Sequence, residues 1–129
     1  MSSDGRLVLV ADDDEDVLSL VTTVLERAGH EVIAARDGAE ALALAQQRRP
    51  DLAVLDVAMP QLDGLEVLRR LRRSRETAEV PVVLLSARAQ ESDVVLGYET
   101  GASAYVRKPF SPRELSERVA GLLEPQAGR

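Results

Sequence analysis

The sequence contains no cysteine and no tryptophan, and its only aromatic residues are Tyr98, Tyr105 and Phe110. Without thiols there is no disulfide framework, no thiol nucleophile and no zinc site built on thiolates. So few aromatic rings leave almost no stacking platform for nucleic-acid bases. His30 is the only histidine, and one imidazole cannot supply a histidine-rich metal site. The function must therefore rest on other types of residue.

Acidic residues outnumber basic residues in the 129-residue chain, 22 against 16, which gives a formal net charge of −6. An acidic total argues against nucleic acid as a direct partner. The apolar run Leu7 to Ala11 is too short for the core of a signal peptide, and no run approaches the length of a membrane span. Together with the missing cysteines, this predicts a cytoplasmic protein with no membrane partner. We expect one domain over residues 1–124, and residues 125–129 as a flexible tail or the start of a linker.

Short apolar runs alternate with segments of helical periodicity, which is the pattern of a parallel α/β sheet. The predicted strands are Arg6 to Ala11, Glu31 to Ala35, Leu52 to Leu55, Pro81 to Leu85 and Ala104 to Arg107. The first, third and fourth are continuously apolar and suit central positions, whereas the second and fifth are more polar and suit the edges. We therefore predict a doubly wound, flavodoxin-like, three-layer α/β/α fold with strand order 2-1-3-4-5.

Helix signals lie between these strands. Asp37-Gly38, Asp63-Gly64 and Ser111-Pro112 each place a capping residue at a helix start. Gly29 and Gly101 stand where helices are expected to end. Three apolar stripes at helical spacing predict buried helix faces: Val17, Val21, Val24 and Ala28; Leu65, Leu68 and Leu71; and Leu115, Val119 and Leu122.

Polar residues follow the strands at the edge where a parallel sheet binds its ligands. Asp12 and Asp13 follow the first strand and Asp56 the third, and these strands are neighbours in the predicted order. Three carboxylates so close repel one another unless a cation binds or one of them keeps a proton. An all-oxygen donor set suits Mg²⁺, which commonly bridges to a phosphate. Ser86 and Lys108, after the fourth and fifth strands, are then placed to contact a phosphoryl group.

Lys108 is the only lysine among 16 basic residues. Its compact ammonium can reach a phosphoryl oxygen or a carboxylate where a planar guanidinium would not fit. We interpret this lysine as a functional residue rather than a chance exception to the preference for arginine.

Five motifs occur in order along the chain: Val10 to Asp13 with an acidic pair, Leu55-Asp56, Met59 to Gly64, Leu85 to Ala87 with a hydroxyl residue, and Tyr105 to Phe110 with the lysine. No single motif is specific, but all of them at these spacings are very specific. The sequence therefore resembles the receiver domain of two-component response regulators, and the resemblance covers nearly the whole chain.

The resemblance implies that Asp56 is the phosphoacceptor and that Lys108 and Ser86 contact the phosphoryl group. It implies that Mg²⁺ is bound by Asp13, by Asp56 and by the backbone carbonyl of Ala58. Asp12 would act mostly through water. The phosphoryl group would come from a sensor histidine kinase or a phosphotransfer protein, or slowly from a small donor. The domain would not be an enzyme beyond this self-phosphorylation and a slow self-dephosphorylation.

The resemblance also implies a switch, in which Ser86 moves toward the phosphoryl group and Tyr105 turns into the vacated space. An output domain or downstream protein would then bind the face formed by the fourth helix, the fifth strand and the fifth helix. The bond between Lys108 and Pro109 is expected to be cis. A homodimer formed on phosphorylation is left open, because the acidic pair common before this tyrosine in winged-helix regulators is missing. Ala58 and Arg88 occupy positions that influence the lifetime of the phosphoryl group in similar domains.

Two alternatives compete with this interpretation. A magnesium-dependent aspartyl-phosphate phosphatase would need a second acid two residues after Asp56, where the sequence has Ala58. A receiver-like interaction module that is never phosphorylated would not need the complete set of site residues. For other polar residues we expect structural roles: His30 faces solvent, Asp14 caps a helix, and the arginines between 69 and 75 form a solvated helix face.

Overall fold

The computed structural model describes residues 6–87 and 90–124. Its strands are β1 (Leu7–Ala11), β2 (Glu31–Ala35), β3 (Leu52–Asp56), β4 (Val82–Ser86) and β5 (Ala104–Arg107). Its helices are α1 (Glu15–Arg27), α2 (Gly38–Arg48), α3 (Gly64–Arg73), α4 (Glu91–Thr100) and α5 (Pro112–Leu123). Every predicted strand is present, with boundaries that differ from the prediction by at most one residue.

The five strands form one parallel sheet in the order β2-β1-β3-β4-β5. This confirms the predicted doubly wound fold and the assignment of β2 and β5 to the edges. Every residue of β3 and β4 is buried, as continuously apolar central strands require. Asp56 lies opposite Leu85, and Ser86 lies opposite Arg107. The strands therefore end together at one edge of the sheet, and this edge carries the polar residues.

Helices cover both faces of the sheet. Because successive strand residues point to opposite faces, Ala53 and Leu55 pack with α2 and α3. Leu52 and Val54 pack with α1 and α5 on the other face. The core is almost entirely aliphatic, and Tyr105 is the one aromatic residue among the buried core residues that the structure describes. None of the described helices is both long enough and apolar enough to cross a membrane.

Side chains cap four of the helices at the predicted residues. Asp14, Asp37, Asp63 and Ser111 accept hydrogen bonds from backbone N–H groups in the first turns of α1, α2, α3 and α5. Gln90 precedes α4 and makes no side-chain hydrogen bond of this kind. Helix α4 therefore begins without the stabilising cap that the other helices have.

The prediction of which residues of α1 are buried was correct for Val21 and wrong for the others. Leu18, Val21 and Leu25 are buried, whereas Val17 and Val24 are only half-buried and Ala28 is exposed. Both sets have helical spacing, and the face with the larger leucine side chains is the one that packs on the sheet. In α3 and α5 the predicted stripes are confirmed, with their outermost members Leu65 and Leu122 half-buried.

His30 does not face solvent as predicted. Its side chain is half-buried, and its Nδ1 atom is buried without a hydrogen-bond partner among the described residues. Burial, and then the charge of Arg6, lower the pKa of His30. The predicted tail, residues 125–129, lies outside the described residues, as does Arg88.

Candidate functional site

Three carboxylates meet at the edge where the strands end. One oxygen from each of Asp12, Asp13 and Asp56 lies within 4.8 Å of the others. Asp12 and Asp13 follow β1, Asp56 ends β3, and these strands are paired neighbours. The structure therefore brings together the three acids that the sequence placed at the reversal of strand order.

Asp12 is fully buried, and its surroundings fix its orientation. Its backbone N–H donates to the carbonyl of Ala35 at 3.1 Å. One carboxylate oxygen accepts a hydrogen bond from the backbone N–H of Asp14 at 2.9 Å, and the other accepts one from Nζ of Lys108 at 3.0 Å. Each oxygen of this buried carboxylate thus has a donor, as burial of a charge requires.

Lys108 reaches the same acids from β5. Its Nζ atom lies 3.3 Å from an oxygen of Asp56, in addition to its bond to Asp12. Its backbone N–H donates to the carbonyl of Ser86 at 2.8 Å, and the Lys108–Pro109 bond is cis, as expected. Burial alone lowers the pKa of Lys108, but the hydrogen bond to Asp12 and the charges of both aspartates outweigh burial, so its pKa is raised. The ammonium therefore stays charged at neutral pH.

The acidity of Asp56 is strongly perturbed by its surroundings. Burial and then the negative charge of Asp12 raise its pKa, the nearby Lys108 partly offsets them, and the pKa is raised to about 6. Only 7% of the Asp56 side chain is exposed. Its charged form is thus costly without a further cation, because of burial first and of the Asp12 carboxylate second.

The remaining predicted site residues lie close by in the fold. Ser86 ends β4 and is buried, and Ala58, two residues after Asp56, is exposed between buried neighbours. Tyr105 is buried opposite Leu84, which lies two residues before Ser86 and so on the same face of the sheet. The roles given to these residues stay predictions.

Sequence reasoning missed the part that Gly64 plays. This first residue of α3 lies directly against the backbone of the phosphoacceptor candidate: a Cβ atom there would be 2.3 Å from the carbonyl oxygen of Asp56. The sequence pattern around Gly64 predicts only a helix cap. One feature of the sequence indicates this contact: glycine stands at the first position of the predicted helix, where a better helix former would otherwise be favoured.

Arg72 also departs from the expected solvated face of α3. Arg69 and Arg70 pair with Glu66 at the surface, as predicted. Arg72 is instead partly buried and donates to the carbonyls of Ala78, Val80 and Gly101. It therefore joins the end of α3 to the turn after α4. Its guanidinium is bound to backbone carbonyls, which favours a structural role over contact with nucleic acid.

The donor set fits a hard divalent cation. It consists of carboxylate oxygens alone, two of the three acids are buried, and their close approach leaves negative charge that Lys108 only partly balances. The described residues offer no thiolate or imidazole in this cluster, which argues against a zinc site.

Comparison with known proteins agrees with this geometry. The family model for the response regulator receiver domain matches residues 8–120. The chain belongs to the response regulator receiver family. The receiver domain of Francisella response regulator 1452 superposes with a TM-score of 0.87 at 38% identity, covering 92% of this chain and 97% of that one.

Among curated receiver proteins, the alkaline phosphatase synthesis transcriptional regulatory protein PhoP of Bacillus subtilis is 48% identical over 119 residues, 92% of this chain and 49% of that protein. The DNA-binding dual master transcriptional regulator RpaA of Synechocystis is 42% identical over 127 residues, 95% of this chain and 53% of that protein. The chain spans about half the length of these curated relatives.

Proposed function

We propose that this receiver domain accepts a phosphoryl group on Asp56 and passes the signal to a partner through a changed surface. The observation that supports this most is the position of Lys108, whose ammonium lies within 3.3 Å of both Asp12 and Asp56. A purely structural ion pair would need one acid. Here the lysine pairs with two acids, Asp12 and Asp56, of the three that share one edge of the sheet.

The acids would hold Mg²⁺, with Asp13 and Asp56 as direct ligands, Asp12 acting mostly through water, and the Ala58 carbonyl completing the protein ligands. When bound, Mg²⁺ would neutralise charge on the phosphoryl oxygens and orient them for in-line transfer. It would also lower the cost of keeping the buried Asp56 carboxylate ionised.

The transfer step needs no general base, because the nucleophile is a carboxylate. An oxygen of ionised Asp56 forms a bond to phosphorus as the bond from phosphorus to the histidine nitrogen of the donor breaks. That nitrogen keeps the electron pair and leaves with its imidazole. Lys108 and the Ser86 hydroxyl stabilise the equatorial oxygens. Water later attacks phosphorus, which releases phosphate and restores the carboxylate.

The surface that responds would be formed by α4, β5 and α5. Helix α4 lacks a side-chain cap, and Gly97 is its one buried residue. Val95, Leu96 and Tyr98 on this helix are exposed large apolar residues. A weakly anchored helix with an apolar exterior is suited to a shift in population when Ser86 moves and Tyr105 follows.

The phosphodonor would be a sensor histidine kinase or a phosphotransfer protein. The recipient of the signal would be an output domain or a downstream protein. Two relatives are named as transcriptional regulators, one of them as DNA-binding, and each is about twice as long as this chain. We propose that any contact with DNA is made by such an output domain, since the receiver itself carries a net charge of −6.

Labelling with acetyl phosphate and Mg²⁺ tests the phosphoacceptor. We expect one added phosphoryl mass on the peptide that contains Asp56, and none in Asp56→Asn or without Mg²⁺. Asp51→Asn is a matched control, because Asp51 precedes the same strand at its opposite end and an Asn oxygen can still accept from the Leu7 N–H. Equal labelling of Asp56→Asn and the parent protein would refute the assignment.

Amide hydrogen exchange tests the switch. Beryllofluoride, a mimic of the phosphoryl group, should change exchange in α4 and β5 and leave α1 largely as it was. Changes confined to the acidic cluster, or centred on α1, would rule out this surface.

A further inference from the structure

Gly38, the first residue of α2, is in closer contact with a distant loop than any side chain would allow. A Cβ atom at this position would lie 1.8 Å from the carbonyl oxygen of Leu62 and 2.6 Å from its Cβ atom. Contacts under 3.0 Å force a shift, and the nearest obstructing atom, the Leu62 carbonyl oxygen, belongs to the backbone. Gly29 has a φ of +98°, but Gly38 does not have a positive φ. Glycine is therefore needed at position 38 because there is no room for a Cβ atom, and not because the backbone adopts an unusual conformation.

Leu62 belongs to the loop of residues 57–63, which follows Asp56 directly. The loop is short and closed, because the N–H of Gly64 donates to the carbonyl of Val57 at 2.9 Å. The N–H of Leu62 donates to the carbonyl of Pro60 at 2.8 Å, and Gln61 between them has φ +70°. This is the bonding of a γ-turn, which is strained for a residue other than glycine.

The loop is held from two sides. On one side Gly64 lies against the carbonyl of Asp56, and on the other Gly38 lies against the carbonyl of Leu62. Val57 and Met59 point into the core, while Ala58 between them is exposed. A strained turn persists only where its surroundings hold it, so these contacts determine where the backbone of Ala58 lies.

We propose that Gly38 is a positioning residue for the metal site, acting through Leu62 and its loop on the carbonyl of Ala58. This rests on the proposed function, which makes that carbonyl a ligand of Mg²⁺. Any side chain on Gly38 pushes the loop away from α2. The displacement passes along a closed loop of seven residues to Ala58 and to the end of β3.

The experiment is a titration of Gly38→Ala with Mg²⁺ and no phosphodonor, followed by the NMR amide shifts of the acidic cluster. The amide chemical shifts of the acidic cluster are those of folded molecules. A variant that is less stable but binds Mg²⁺ normally therefore gives the parental dissociation constant. We expect the Mg²⁺ dissociation constant to rise roughly tenfold or more, the scale seen when residues supporting metal ligands are changed. Amide exchange in residues 57–63 should become faster.

Two controls separate positioning from simple destabilisation. Ala41→Gly removes a buried methyl group from the same helix and adds nothing against the loop. Gly121→Ala adds a methyl group in α5, where nothing lies within 4 Å of the new Cβ. Both should bind Mg²⁺ as the parent does. Equal affinity of Gly38→Ala and Ala41→Gly would overturn the inference.

If Gly38→Ala does not fold, Leu62→Ala decides the question. It removes a side chain that packs against the core from the loop side, adds no atoms, and should weaken Mg²⁺ binding in the same direction. Parental affinity in this variant would also overturn the inference. A parent chain that binds no Mg²⁺ would overturn the proposed function itself, and the inference with it.

Discussion

Lys108 donates a 3.0 Å hydrogen bond to Asp12, although 96 positions separate the two residues in the chain. Their strands are not neighbours, since β3 and β4 lie between β1 and β5. The lysine side chain therefore crosses the ends of two strands. Its compact ammonium thereby contacts the carboxylates at the ends of β1 and β3 together, since Nζ also lies 3.3 Å from Asp56.

Lys108→Arg should impair phosphorylation while the fold is retained. The guanidinium keeps the positive charge but is broad and planar, and it cannot occupy the space between two buried carboxylates in the same way. We expect the rate of labelling by acetyl phosphate to fall at least about tenfold. Arg107→Lys, on the exposed neighbouring residue, is the control and should label at the parental rate.

Asp56→Asn should stabilise the metal-free protein at neutral pH. The folded-state pKa of Asp56 is about 6, raised from 3.8, so between these values the folded chain binds more protons than the unfolded chain. The free energy of unfolding of the parent therefore falls by about 2 to 3 kcal/mol as pH rises through this window. The Asp56→Asn variant does not show this fall, because the asparagine side chain does not ionise.

Urea unfolding with a chelator, between about pH 4 and pH 7, measures this effect. The two proteins differ in one carboxyl group, so the titration of groups that do not contact Asp56 cancels in the difference. The advantage of Asp56→Asn should grow with pH. A difference that stays constant across the range would show that the carboxyl is not destabilised by its surroundings.

Gly97→Ala should disturb the contact between α4 and β5. A Cβ atom at Gly97 would lie 2.9 Å from Cδ2 of Tyr105 and 3.1 Å from Cδ1 of Leu84, so the ring or the helix must move. We expect a loss of about 1 to 3 kcal/mol of stability, with faster amide exchange in α4. Gly121→Ala is the control and should stabilise by up to about 1 kcal/mol, since its new methyl group meets nothing. Unchanged exchange in α4 would contradict the close contact.

Arg72→Met should destabilise the fold by about 2 to 4 kcal/mol, because three backbone carbonyls lose a charged donor. Arg70→Met removes an exposed ion pair with Glu66 from the same helix and should cost no more than about 0.5 kcal/mol. Thermal or urea unfolding compares the two. Equal losses would mean that Arg72 contributes no more than a surface arginine.

The strand order and the acidic cluster could be predicted because both depend on patterns along the chain. Continuous apolar runs mark central strands, and the residues after them meet at one edge whatever their separation in sequence. Asp12 and Asp56 are predictable in this way, and so is Lys108, which follows β5.

The partners of Arg72 and Gly38 could not be predicted, because they are backbone atoms. A glycine at the first position of α2, like Gly64 in α3, indicates a close approach but not what it approaches. The carbonyls that Arg72 binds lie 6, 8 and 29 residues away, and no side-chain type marks them. The contact of Gly38 with Leu62 depends on how closely the start of α2 approaches the loop of residues 57–63. The wrong prediction for α1 has a different cause: its apolar residues satisfy two stripes of helical spacing, and packing on the sheet selects one of them.

The scarcity of aromatic residues gives the chain a built-in optical reporter. It has two tyrosines and no tryptophan to accept their excitation energy. Tyr98 on α4 is 45% exposed and Tyr105 on β5 is 7% exposed, so both rings belong to the surface proposed to respond to phosphorylation. The ultraviolet fluorescence of the unlabelled chain therefore comes almost entirely from this surface, and the acidic cluster itself contributes no emission.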